Sequence, residues 1–350
     1  MEDYTMANRM LPINGQSKAK RLVWGAPQNY ISWAYMRELR EHDKTCKVYD
    51  CDPYVEVYKF RENLYGLFQQ NCDGAGDVWS WLIVGPEKCM LIDTAFGLGD
   101  TRALVEELTG GKEVIVVNTH DHFDHAFGNC RFDRVYCHKN LVHLLEQQNS
   151  RMWDYLFDTN GNNRWLQFER EDLPKFRPYE IVGVEDGYRF DLGGGYEIEL
   201  INSGGHGGSG ASMYLDPQNR ILFPGDNICS DISGCGEVSY PIEQCQMHQF
   251  YECICRLCQR LDEFDSLFPM HFMVNLDSYL LMDIRDTVAK ILDDPEHAYD
   301  YPLLHKNANG GPDTVRLFKY VPGFTTIAYM IHETASEIVP AALRHTGKQI

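Results

Sequence analysis

The run Thr119-His120-Asp121-His122-Phe123-Asp124-His125 constrains this chain more than any other stretch of its 350 residues. It follows EVIVVN, a continuous β-branched run of the kind that forms a buried strand. The end of such a strand is where a rigid scaffold projects side chains into a cleft. Four potential ligands, His120, His122, Asp124 and His125, fall within six residues. That density suits neither an apolar core nor a solvated loop. Imidazole together with carboxylate suits zinc, iron or manganese.

The segments around this run alternate between strand and helix patterns. YVEVYKF, beginning at Tyr54, has the period of a half-buried strand, and NLYGLFQ reads as its hairpin partner. VWSWLIVG and KCMLIDT are strand-like and separated by the turn signal Gly85-Pro86. LGDTRALVEELTG reads as a helix with Asp100 or Thr101 near its start and Gly110-Gly111 at its end. RVYCHKN reads as a strand and LVHLLEQQ as a helix. YRFDLG, YEIELIN, ASMYLD and RILFPGD restore the strand pattern. A helix is expected around His248 to Leu261, then a short strand in SLFPMH, then a helix from Leu276 to Leu292. TVRLFKYV and TIAYMIHE form a last candidate strand pair. Strands in runs, with helices in both halves, predict an α/β architecture of two packed sheets flanked by helices, an αββα sandwich.

Residues 1–50 read as an extension, with the aromatic, partly helical stretch NYISWAYMRELREHDK packing on the main domain or on a second subunit. That leaves 51–350 as the main domain and a homodimer as one expected assembly. Residues 150–178 break the strand rhythm with aromatics, charges and Asn/Gly turns. Trp153, Tyr155, Trp165 and Phe168 in this segment would form an apolar lid over a substrate; an ordinary surface excursion is the alternative.

The formal net charge of −19 repels phosphate backbones, so no nucleic-acid partner is expected. Bound metal would reverse that sign locally. Met1 to Gln16 lacks the pattern of a signal peptide, and no apolar run approaches the roughly 20 residues that span a bilayer. The expectation is a cytoplasmic protein with no membrane partner. Its twelve cysteines then read as free thiols or small core residues. Cys253, Cys255 and Cys258 lie in a helical pattern where 253 and 255 face different ways, which argues for packing rather than a metal cluster.

The H-x-H-x-D-H form of the central run resembles the metallo-β-lactamase superfamily. Further landmarks follow in the family's order: Asp93 in LIDT, His206 in SGGHGGSG, Asp226 in LFPGD and His271 in LFPMH, each after a strand-like run. The resemblance implies two metals, zinc with iron or manganese as alternatives. His120, His122 and His206 would hold one, Asp124, His125 and His271 the other, and Asp226 would bridge them. Asp93 would brace the loop from behind. A hydroxide formed on such a metal pair near neutral pH would be the nucleophile, with Asp124 orienting it. The chain departs from the family at Gly205, Gly207, Gly208 and Met270, next to the last two histidines.

Zinc β-lactamases carry cysteine or serine where this chain has Asp226. The aspartate is instead similar to glyoxalase II and the quorum-signal lactonases. The resemblance therefore implies hydrolysis of an ester, lactone or thioester of a small-molecule substrate. The alternatives are a persulfide dioxygenase-like reaction on a single non-haem iron, β-lactamase-like amide hydrolysis, and a non-catalytic binding role. Tyr240 and His248, following Asp226, and Trp153 and Trp165 of the insertion, are the expected substrate contacts.

Overall fold

A computed structural model describes residues 18, 20–21, 30–70, 77–230, 232–305, 314–322 and 325–331. The chain enters through a helix, α1 (Tyr30–His42), and builds a first sheet from β1 (Lys47–Tyr49), β2 (Asp52–Arg61), β3 (Leu64–Gln69), β4 (Val78–Val84) and β5 (Lys88–Ile92). The helix α2 (Thr101–Thr109) crosses over to β6 (Glu113–Val117), which pairs parallel with β5. Strands β7 (Arg134–His138) and β8 (Glu180–Val184) complete eight strands in the order β8-β7-β6-β5-β4-β3-β2-β1. Asp100 caps α2 by accepting from the Ala103 N–H at 3.1 Å, and Gly110 ends it at φ +67°. Both helix boundaries are those the sequence predicts.

The second sheet has the order β9-β10-β11-β12-β14-β15, from β9 (Arg189–Asp191), β10 (Glu197–Asn202), β11 (Ser212–Asp216), β12 (Ile221–Phe223), β14 (Ser266–Leu267) and β15 (Leu276–Asp277). The strand β13 (Ile232–Val238) and the helix α3 (Gln246–Cys258) lie between β12 and β14, and the helix α4 (Leu280–Asp293) follows β15. The period-2 alternation of the strands sorts the side chains into layers. Trp81 and Ile83 face the second sheet, while Leu82 between them packs with Leu104 and Val105 of α2. Tyr214 faces the first sheet, while Met213 and Leu215 pack with Phe250 and Ile254 of α3 and with Ile284 and Val288 of α4. The result is helix, sheet, sheet, helix, as expected.

Two features lie outside that expectation. The first is a third sheet of four strands. It joins β13 to β16 (Tyr301–His305), β17 (Thr314–Tyr320) and β18 (Thr326–Ile331) in the order β13-β18-β17-β16, with β13 parallel to β18. The sequence anticipates its β17–β18 pair but not β13. The second is the integration of α1 into the main body. Its Met36, Tyr35 and Leu39 pack into the apolar layer between the two large sheets, and Arg40 Nε lies 2.9 Å from Glu56 on β2. Residues 1–17, the beginning of the expected extension, lie outside the described residues. The helices expected at 141–148 and from Leu276 are shorter, at Val142–Leu145 and Leu280–Asp293.

Candidate metal centre

The site is assembled at strand ends. Asp93 sits just past β5 in the left-handed region at φ +62°, a conformation that Asp tolerates better than most residues. This turns its buried carboxylate toward the loop after β6. Asp93 Oδ1 accepts from the Thr119 N–H at 2.8 Å, and Oδ2 accepts from the Thr119 hydroxyl at 2.7 Å. The same Oδ2 lies 3.0 Å from His125 Nδ1. Since the Thr119 proton points at Asp93, the Thr119 oxygen accepts from His120 Nδ1, 3.0 Å away. His120 and His125 thus each turn Nδ1 to this framework and Nε2 to the interior of the site.

His271 is held from the other sheet. Trp79 N donates to the Met270 carbonyl at 2.7 Å, and His271 pairs with Val78 in an isolated bridge. The indole N–H groups of Trp79 and Trp81 donate to the carbonyls of Phe272 at 3.1 Å and Pro269 at 3.2 Å. His271 Nδ1 lies 2.8 Å from the Asp77 carbonyl, so its Nε2 also faces inward. Met270, a departure from the family pattern, is fully buried among these tryptophans between the sheets. Here a core side chain takes the place of a glycine turn.

The glycines around His206 have an equally local cause. Gly207 has φ +84°, and a Cβ there would lie 2.5 Å from His120 Cβ. A Cβ on Gly234 of the third sheet would lie 2.3 Å from His206 Nδ1. The His206 N–H donates to Asn227 Oδ1 at 2.8 Å, tying this loop to the residue after Asp226.

These elements bring seven side chains to one point. His120, His122 and His206 form one donor triad and Asp124, His125 and His271 another, the donor atoms of each lying within 4.8 Å of one another. His122 Nδ1 and His206 Nε2 are 3.0 Å apart. Asp226 Oδ2 lies between the triads, at 3.1 Å from His271 Nε2, 3.4 Å from His125 Nε2, 3.6 Å from His206 Nε2 and 3.9 Å from His120 Nε2. Among the described residues, His120 Nε2, His125 Nε2 and Asp226 Oδ1 are buried without a hydrogen-bond partner. Buried polar atoms are normally satisfied, so three such atoms without partners around one space fit a divalent cation.

The charges of the metal-free site divide along the same line. Burial, reinforced by the His122 charge, pushes His206 down to about 3, and burial with its histidine neighbours holds His120 well below the usual range. Burial would also lower His271, but Asp226 and Asp124 outweigh it and push it up to about 10. His125 is likewise raised, by Asp226 and Asp124 against burial. Burial would raise Asp226, yet His125 and His271 hold it well below the carboxylate range. His120 and His206 are therefore held without their extra protons, while His125 and His271 carry theirs in place of a cation.

The donors open into a cavity of about 530 Å³. Its lining includes Cys229, Gln246, and residues of the third sheet: Gly234 and Glu237 from β13, Arg316 from β17 and Tyr329 from β18. Tyr240, His248, Trp153 and Trp165 are not among the lining residues. Tyr240 is 59% exposed, and His248 lies in the first turn of α3 with its ring near Tyr251. Trp153 is buried and donates its indole N–H to the Phe96 carbonyl at 2.9 Å, and Trp165 packs beside Tyr155 and under Arg164. The 150–178 segment is thus a packed wing rather than a lid over this cavity. It touches the metal loop from outside, where Tyr155 meets Phe123 with ring centroids 5.8 Å apart. Cys253 is buried in the helix-side core, as the helical pattern predicts.

With this geometry in place, the comparisons are specific. The chain belongs to the metallo-β-lactamase superfamily, whose family description it matches over residues 73–298. It is 28% identical over 169 residues to the human acyl-coenzyme A thioesterase MBLAC2 and 27% identical over 161 residues to the Gallus gallus protein of that name. Each match covers 42% of this chain and 56% of the relative, so the chain spans little more than half the length of the relatives it matches. Among solved structures, it is similar to DIM-1 metallo-β-lactamase at 20% identity and TM-score 0.49, over 68% of this chain and 98% of that one. No described helix is long and apolar enough to cross a membrane.

Proposed function

We propose that this chain is a two-metal hydrolase that cleaves an ester-type bond, a thioester foremost, in a small molecule. The observation that carries the reading is the pair of donor triads meeting at Asp226 Oδ2, with His122, His206, Asp226 and His271 lining a cavity of substrate size. The similarity to relatives named acyl-coenzyme A thioesterases supports a thioester over the lactone and simple ester that the sequence leaves equally open.

In this reading His120, His122 and His206 hold one divalent ion, Asp124, His125 and His271 the second, and Asp226 both. Zinc fits the imidazole-rich donor set. Bound there, the ions would lower the pKa of water and polarise the substrate carbonyl. The remaining work falls to the protein. Asp124, buried between His125 and His271, offers carboxylate oxygens that accept a hydrogen bond from the attacking water and fix its direction. Asp93 and Thr119 hold His120 and His125 in the tautomer that leaves Nε2 free.

Metal analysis of protein purified without added metal, paired with thioester, lactone, ester, β-lactam and persulfide substrates, tests this. The expected result is about two zinc equivalents and thioester cleavage, both lost in His122→Ala. One iron per chain with oxygen consumed alongside a persulfide would sink the proposal. The free thiols among the described cysteines are in keeping with a cytoplasmic location, which belongs to the same proposal.

A further inference from the structure

The third sheet contributes one cation to the cavity. Arg316 is the one lysine or arginine among the described lining residues, which also include the acidic Asp121, Asp226 and Glu237. It lies mid-strand on β17, where its neighbours Val315 and Leu317 point into the core and so turn Arg316 to the opposite face. Several arginines elsewhere are matched with carboxylates, as Arg40 with Glu56, Arg134 with Glu180, Arg220 with Asp265 and Arg260 with Glu199, while Arg61 and Arg164 bond carbonyl oxygens. Among the described residues Arg316 has no such partner. Its surroundings desolvate it and lower its pKa, and no neighbouring carboxylate offsets that. A guanidinium keeps its charge even so. Arg316 stays exposed at the cavity wall, so in a chain of net charge −19 it offers an unmatched positive charge to whatever enters. The residue also lies beyond the 73–298 span that matches the family.

We propose that Arg316 anchors an anionic group of the substrate, a carboxylate or a phosphate, placed away from the bond that is cleaved. The planar guanidinium grips either group through two parallel hydrogen bonds. The substrate class is then an anionic thioester or ester. This rests on the hydrolase reading above, and the test separates the two.

Three thioesters identical but for a terminal amide, carboxylate or phosphate would be given to the zinc-loaded wild-type, Arg316→Gln and Arg316→Lys proteins. The wild type is expected to favour one anionic compound in kcat/KM. That preference over the amide should fall by about tenfold to a hundredfold in Arg316→Gln, mainly through KM, with partial return in Arg316→Lys. The favoured compound identifies the anion. Absence of a preference in the wild type, or its survival in both variants, overturns the proposal. The uncleavable thioether counterparts, titrated calorimetrically, form the second arm. If nothing is hydrolysed but the anionic thioether's binding advantage disappears in Arg316→Gln, the hydrolase reading fails and the anchor stands. If hydrolysis proceeds while the thioethers bind wild type and variants alike, the anchor fails and the hydrolase stands.

Discussion

Asp93 Oδ2 lies 3.0 Å from His125 Nδ1 and, through the same oxygen, 2.7 Å from the Thr119 hydroxyl that supports His120. One carboxylate outside the donor set therefore aims a histidine from each of the two triads. Replacing it should weaken both ions together. Asp93→Ala is expected to lower metal affinity about tenfold to a hundredfold, measured by competition with a chromophoric chelator. Asp93→Asn, which tolerates the same backbone conformation, should lose less. Full retention of affinity in Asp93→Ala would remove its bracing role.

Metal uptake should depend on pH. In the metal-free protein His271 is pushed up to about 10 and so carries a proton at neutral pH; metal can bind only after that proton leaves. Affinity is then expected to rise by about tenfold per pH unit for each proton displaced, from pH 6 to 8. Calorimetry in buffers of different ionisation enthalpy would count the protons; a pH-independent affinity would refute the account. The sign for stability is opposite. A histidine raised above its unfolded value stabilises the metal-free fold fully below that value, and the contribution is lost as pH climbs toward about 10.

Gly234 bears on His206 alone. A methyl group there would sit 2.3 Å from His206 Nδ1, too close for both to stay in place. Gly234→Ala should swing the imidazole and weaken the ion of the first triad by about tenfold or more, leaving the second ion bound. Two-phase metal titration would separate them. Simultaneous release of both ions would contradict this division.

The wing at 150–178 should matter for stability. Trp153 is buried with Phe96, Leu156 and Phe168, and it holds the Phe96 carbonyl. Trp153→Ala is expected to cost about 3–5 kcal/mol in chemical denaturation. KM for a cleaved ester should remain as it was. A raised KM at unchanged stability would restore the lid.

How far the sequence carried this reading depended on whether a residue's role was local. Each donor closes a strand-like run, and a strand end is visible from its own neighbours. The run at His120 to His125 stands out by itself, whereas His206, Asp226 and His271 stand out only as an ordered set through the family resemblance, and the layers follow from alternation such as Trp81-Leu82-Ile83. The cavity wall was hidden because β13, ISGCGEV, is rich in glycine and shows no alternation, and its partner β18 lies far along the chain. Arg316 looks like any outward strand residue until that sheet is assembled. Trp153 and Trp165 were ambiguous in principle, since a ring that covers a substrate and a ring that fills a wing have the same composition around them. The helix α1 was placed only as packing somewhere, because amphipathicity does not name the surface it meets.

The pairing of β13 with β18 gives the protein a timetable. On a ribosome, every candidate donor through His271 emerges before β17 and β18 exist, and domains begin folding from the N-terminal side. A nascent chain at that stage carries the donors without the wall that β17 and β18 add to the cavity. A translation product ending before Thr314 would carry every candidate donor through His271, yet leave the core around α3 and α4 without Val315, Leu317, Ile327 and Tyr329 and the cavity wall without Arg316.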